Sequence, residues 1–310
     1  MKVYFSNVNF SSASGPNSFA TRLAHQLNLS GHIIADKHDY DISLVFIEDD
    51  GTLQDGKPYV QRLDGIWFKP DEYAWKNANI KKTFDKANGI VFQSEFNKNQ
   101  ITKWWGAPAE SAVIPNGIDL QPMTESLPGF MKLRNEYEQI FVCSANWHAQ
   151  KRLKENIRFY KHIRKTYPKS CLVVLGNNPD YVISDPHIFY TGPLSHDECL
   201  KLYVVANWMI HLSWLDHCPN VVVEALSQGT PVICSSDGGT KELVKTNGVF
   251  IDEISTYDFT LRNYDDPPML PNDFGGITTL PNIKVDPSHL DIKIAAKKYV
   301  DLFKRILNEQ

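Results

Sequence analysis

Strand-like and helix-like segments alternate along the whole chain, and this alternation constrains the fold more than any other feature. Ile42–Ile47 reads I-S-L-V-F-I and Cys171–Leu175 reads C-L-V-V-L. Short apolar runs of this kind suit parallel strands buried on both faces. Between them lie helical patterns. Asn17–Leu29 repeats Phe19, Leu23 and Leu27 at four-residue spacing, and Lys151–Tyr167 carries Leu153, Ile157, Tyr160 and Ile163 on one face. Further strands are expected at Lys2–Phe5, Tyr59–Leu63, Gly89–Phe92, Ala112–Ile114, Ile140–Ser144, Ile188–Tyr190, Trp208–Leu212 and Pro231–Cys234. Further helices are expected at Tyr73–Ala87, Ser94–Trp105, Ser195–Ala206, Val221–Ser227 and His289–Asn308. Ser195 with Glu198 three residues on reads as a capping box. The pattern predicts an α/β protein with parallel sheets covered by helices on both faces.

A chain of 310 residues calls for two domains. Asp119 to Glu138 is rich in Pro, Gly and polar residues and reads as the linker. The expected division is 1–120 and 121–288, with the helix 289–310 crossing back to the first domain. The residues are 42% hydrophobic and 22% charged, ample for two cores. A net charge of −4 argues against a nucleic-acid partner. Five scattered cysteines, an odd number with no C-x-x-C, argue against a disulfide framework or a zinc site. Met1–Phe10 lacks the apolar core of a signal peptide, so a cytoplasmic location is expected. The basic run Lys151–Lys169 is mostly a solvated helix face; its sharper reading is weak peripheral contact with an anionic membrane surface.

Sequence templates for P-loop, dinucleotide-binding, zinc-protease and serine-hydrolase chemistry are absent. The most informative segment is Ser213 to Glu242. Asp216 follows a strand. Pro219 suits the first turn of a helix, whose exposed Asn220, Val221 and Val222 N–H groups would face an anion. Glu224, eight positions after Asp216 and about one turn into that helix, can accept bonds from two vicinal hydroxyls, as on a ribose. Gly238-Gly239 makes a turn where backbone could approach a ligand closely. In the first half, Arg62-Leu63-Asp64-Gly65-Ile66 follows a candidate strand, and Asp64 there could bind or polarise an acceptor hydroxyl.

This segment resembles the signature of retaining GT-B glycosyltransferases of family 4: E-x₇-E, then E-A-x-A-x-G-x-P-V-I, then G-G-x-x-E. Asp216 stands for the first Glu, Glu224 for the second, and Gly238-Gly239-Thr240-Lys241-Glu242 for the last part. Ser144–Leu153 is similar to the family's S-G-R-L-x-x-x-K-G segment, with Lys151 at its Lys and Asn146 at its Arg; His148 or Arg152 would replace the missing cation. Gly15-Pro16 looks like a shortened G-G-P loop on the acceptor or diphosphate side. The resemblance implies two Rossmann-like domains facing a cleft, with a shortened first domain.

It also implies transfer of a hexose from a nucleotide-diphosphate sugar to a glycan, lipid-linked or small-molecule hydroxyl, with retention. No metal is expected. Lys151 and the helix start would neutralise the leaving diphosphate, and Asp216 would contact the donor sugar. The alternatives are a catalytically silent nucleotide-sugar binding protein, a GT-B epimerase and, less favoured, a glycosyl phosphorylase.

Overall fold

A computed structural model describes residues 1–12 and 14–308. The chain divides into two compact units. Unit 1 comprises Met1–Asp119, Asp258–Arg262 and the chain from His289 on; unit 2 comprises Leu120–Tyr257 and Asn263–Ser288.

Unit 1 begins with β1 (Lys2–Ser6), α1 (Gly15–Leu29), β2 (Ile33–Ala35), β3 (Ile42–Phe46) and β4 (Tyr59–Leu63). It continues with α2 (Tyr73–Lys76), α3 (Ala78–Lys86), β5 (Gly89–Phe92), α4 (Glu95–Trp105) and β6 (Ser111–Val113). The strands form one parallel sheet in the order β2-β1-β3-β4-β5-β6. β3 is buried at every position, as an apolar run between two helical layers must be. α1 buries Phe19, Leu23 and Leu27, the stripe that the four-residue spacing marks. Two expectations change here. The helix expected over Tyr73–Ala87 breaks at Asn77, whose buried side chain exchanges hydrogen bonds with the Trp67 backbone and donates to Tyr73 O. The strand β2 was not expected: it is three residues long, at the sheet edge, with Ile33 exposed.

Unit 2 runs α5 (Pro128–Glu136), β7 (Gln139–Ser144), α6 (Leu153–Ile163), β8 (Ser170–Leu175), β9 (Ile188–Gly192) and α7 (His196–Val205). It continues β10 (Trp208–His211), α8 (Asn220–Ser227), β11 (Val232–Ser235), α9 (Thr240–Val244) and β12 (Gly248–Ile251). Its parallel sheet has the order β12-β11-β10-β7-β8-β9. Read from the other edge, this is the doubly wound order in which the chain reverses direction between β7 and β10. The capping box at Ser195 and Glu198 is present. α5, α9 and β12 were not expected. α5 lies in the segment read as linker and buries none of its residues, so no apolar stripe marks it. The helix expected from Lys151 starts only at Leu153. A 3₁₀ turn, Ala149–Lys151, precedes it, and Arg152 between them is left-handed, with φ 51°.

The last helix, α10 (Ile292–Asn308), packs on α1 and completes the core of unit 1. It buries Tyr299, Leu302, Phe303 and Ile306, spaced three and four apart. Each such side chain contributes about 1.5–3 kcal/mol of burial.

Candidate active site

Open parallel sheets bind ligands beyond the carboxyl ends of their strands, at the point where strand order reverses. In unit 2 that point lies between β7 and β10. The chain leaving β7 carries Lys151 and the chain leaving β10 carries Asp216. Their side chains meet there, Lys151 Nζ lying 2.5 Å from Asp216 Oδ2. Both remain partly open, at 24% and 14% side-chain exposure.

Three further contacts fix this meeting. Gln150 O accepts from Trp214 N at 2.8 Å, and Gln150 Nε2 donates to Trp214 O at 2.9 Å. These bonds stitch the two loops together. The buried Asn156 of α6 donates from Nδ2 to the carbonyls of Lys151 and Arg152 and accepts on Oδ1 from Leu212 N. One amide thus ties the left-handed turn at Arg152 to the end of β10. A third support comes from the glycine turn. Gly239 N donates to Asp216 O at 2.7 Å, and Gly238 has φ +103° with Asp216 O only 3.0 Å from where a Cβ would stand. The close approach expected of Gly238-Gly239 is therefore made to the Asp216 backbone, which the turn props from behind.

His211 is the last residue of β10. It is buried, and its Nε2 lies 3.3 Å from Asp216 Oδ2. Burial lowers its pKa below the usual histidine value, although Asp216 opposes this. The ring is then neutral near pH 7. A carboxylate can only accept, so the imidazole carries its proton on Nε2 and donates it. Burial alone would raise the Asp216 pKa. Lys151 and the His211 hydrogen bond outweigh it and hold that carboxyl far below the usual range. His148 stands beside this cluster. Desolvation and the Lys151 charge lower its pKa.

The remaining residues of unit 2 sort differently. Pro219 is the N-cap of α8, one position before the first turn where the sequence reading put it. Asn220 and Val221 open that helix, and their neighbours Val222 and Val223 donate their N–H groups back to Pro219 O. Glu224 is buried to 8% exposure within α8, with Oε1 3.4 Å from His196 Nε2. Arg152 needs a correction. The guanidinium expected to help bind phosphate is 1% exposed and forms a forked pair with Glu253, at 2.7 and 3.0 Å. It also donates to Pro268 O at 2.6 Å. Its hydrogen bonds among the described residues go to Glu253 and Pro268. Asn146, at the position of the missing cation, is exposed.

In unit 1, Asp64 lies just past the carboxyl end of β4 and pairs with the buried Arg62. Gly15 and Pro16 are the first two residues of α1 rather than a loop before it, with Ser14 as N-cap. Sequence reading missed His211, Asn156, Glu253 and Arg62 as parts of these arrangements. Only His211 left a signal, a polar residue in an otherwise apolar strand five positions before Asp216.

Residues 130–256 match the family described as glycosyl transferases group 1. Alpha-monoglucosyldiacylglycerol synthase of Acholeplasma laidlawii is 24% identical over 193 residues, 56% of this chain and 44% of that protein. O-antigen chain mannosyltransferase B of Escherichia coli is 21% identical over 198 residues, 59% of this chain and 52% of that protein. The chain thus spans about half the length of the curated relatives it matches. Among solved structures, Anabaena HepE in complex with UDP-glucose superposes with a TM-score of 0.63 at 14% identity, over 100% of this chain and 99% of that one. No described helix is long and apolar enough to cross a membrane. Residues 130–256 thus resemble the glycosyl transferases group 1 family, and the two α/β units have the fold of the GT-B structures they superpose on.

Proposed function

We propose that the protein transfers a hexose from a nucleotide-diphosphate sugar to an acceptor hydroxyl, with retention of anomeric configuration. One observation supports this most directly: Lys151 and Asp216, residues the family motif singles out, meet at the strand reversal of unit 2 with His211 beside them. The names of the relatives, a glucolipid synthase and a mannosyltransferase, agree with a hexosyl donor, as does the UDP-glucose bound to HepE.

The leaving nucleoside diphosphate carries about two to three negative charges in water, and neutralising that charge as it develops is the main catalytic task. Lys151 serves it with an ammonium already placed. The start of α8 adds N–H groups and the positive end of the helix dipole. Asp216 has two jobs. It holds Lys151 in place before the donor arrives, and it accepts bonds from donor-sugar hydroxyls afterwards. The proton on His211 Nε2 keeps one Asp216 oxygen engaged, which fixes the direction of the other. Glu224 accepts from the ribose hydroxyls, and His148 contacts the diphosphate. In unit 1, Asp64 receives the acceptor, and the α1 start at Gly15 and Pro16 borders that side. This chemistry proceeds without a metal.

The test is a panel of UDP-, GDP- and ADP-linked sugars, with and without EDTA, following nucleoside diphosphate release and the anomer formed. The expected result is release from one donor, insensitive to EDTA and lost in both Lys151→Ala and Asp216→Asn. Donor binding with no release, whatever acceptor is added, would replace transfer by a silent binding role.

A further inference from the structure

The carboxyl edge of the unit 1 sheet contains a buried cation that the proposed chemistry does not yet use. Arg62, in β4, is completely buried. Its guanidinium lies over two rings, 4.7 Å from the centroid of Phe19 and 4.8 Å from that of Phe46. Nη2 donates to Asn116 Oδ1 at 2.7 Å, and Nη1 donates to Asp64 Oδ1. Gln93, just past the end of β5, donates Nε2 to the same Asp64 oxygen. Nε has no hydrogen-bond partner among the described residues.

A sealed arginine with an orphan N–H is an expensive way to build a core. Filling the space with apolar side chains is often neutral or stabilising. Its geometry instead suits one task. Cation–π contact with Phe19 and Phe46, together with full burial, restrains the guanidinium. The plane then directs one N–H at Asp64. Both donors, Arg62 and Gln93, engage Oδ1. Asp64 remains 25% exposed, while Arg62 is sealed beneath it. The arrangement presents one oxygen of a carboxylate from a mount held by these contacts.

We propose that Arg62 is a positioning residue: with Gln93 it clamps Asp64 so that Oδ2 accepts the hydrogen bond of the acceptor hydroxyl. This rests on the transferase reading above and specifies how unit 1 would serve it. The clamp acts on the acceptor and leaves the donor untouched.

The test separates the two substrates. Donor hydrolysis without acceptor, nucleotide affinity by calorimetry, and transfer to octyl glucoside, galactoside and mannoside are measured on wild type, Asp64→Asn, Arg62→Lys and Gln93→Ala. Arg62→Lys keeps the charge and loses the fork. Each variant should raise the acceptor KM or lower kcat/KM for transfer about tenfold or more, and in Arg62→Lys and Gln93→Ala donor hydrolysis and nucleotide affinity should stay within about twofold of wild type. Arg62→Lys combined with Asp64→Asn should be no worse than the poorer single variant, because both remove one device. If Arg62→Lys does not fold, Gln93→Ala carries the same comparison. Variants that melt earlier yet transfer normally would make the cluster purely structural. Equal losses of donor hydrolysis and transfer would overturn an acceptor role, as would wild-type donor hydrolysis with transfer to none of the three glycosides. Absence of donor turnover by the wild type would instead remove the transferase reading, and this role with it.

Discussion

Arg152→Met should unfold unit 2 early while leaving nucleotide binding nearly intact. The side chains of Arg152 and Glu253 are 1% and 2% exposed, and their fork is closed on both sides by Pro268 O and Ser235 Oγ. Removing the guanidinium strands a carboxylate with a hydroxyl as its remaining described donor. Breaking such a buried pair costs about 3–5 kcal/mol. At roughly 2–4 °C per kcal/mol for a unit of this size, the melting point should fall by about 6–20 °C. Thermal and urea unfolding measure this, with Glu253→Met and the double variant completing a cycle. The double variant should recover much of the loss, because no lone charge remains buried. Nucleotide affinity, measured where both proteins are folded, should stay within about twofold. A variant with wild-type melting and tenfold weaker nucleotide binding would refute this reasoning and return Arg152 to the phosphate site.

Three other outcomes follow from the same geometry. Lys151→Ala should lower donor turnover by about 10²–10³-fold in steady-state assays, the usual cost of one preorganised charge-stabilising donor; a loss below about threefold would place diphosphate neutralisation elsewhere. Gly238→Ala puts a Cβ against Asp216 O at a φ of +103°, so it should slow turnover by displacing Asp216; a variant with unchanged kcat would show that the turn does not prop the carboxylate. Stability should fall as the solution is acidified from about pH 6.5 toward 4. Burial lowers the His217 pKa to about 4, so its contribution is present above the unfolded value of about 6.5 and is lost as pH falls toward the folded one. Urea titrations of wild type and His217→Gln should differ in slope across that window, and parallel curves would count against it.

Nearly all of the fold that rests on apolar periodicity was legible beforehand. The runs at Ile42–Phe46 and Cys171–Leu175 are strands, and Phe19, Leu23 and Leu27 form the buried stripe of α1. What escaped had no such signal. β2 is an exposed edge, and α5 buries nothing. Motif spacing pointed to Lys151, Asp216 and Glu224. It could not show that Lys151 and Asp216 touch, because their meeting depends on a left-handed Arg152 and on Asn156 reaching three backbone groups. The misreading of Arg152 has the same origin. Adjacent cations in a segment that resembles a family motif look alike in one dimension, and the left-handed turn at Arg152 accompanies its pairing with Glu253.

The return of α10 to unit 1 sets an order of assembly on the ribosome. The strands of unit 1 are complete by Val113, but the helix that covers α1 begins at Ile292. All of unit 2 is synthesised in between. At about 5–20 residues per second, the α10-facing side of α1 and the sheet beneath it wait roughly 10–35 s for their cover. Unit 2, contiguous apart from one short excursion, matures first. The nascent first half therefore keeps the apolar face that α10 covers exposed until that helix is made. A ribosome stalled anywhere before the final helix holds one finished unit and one that is still open.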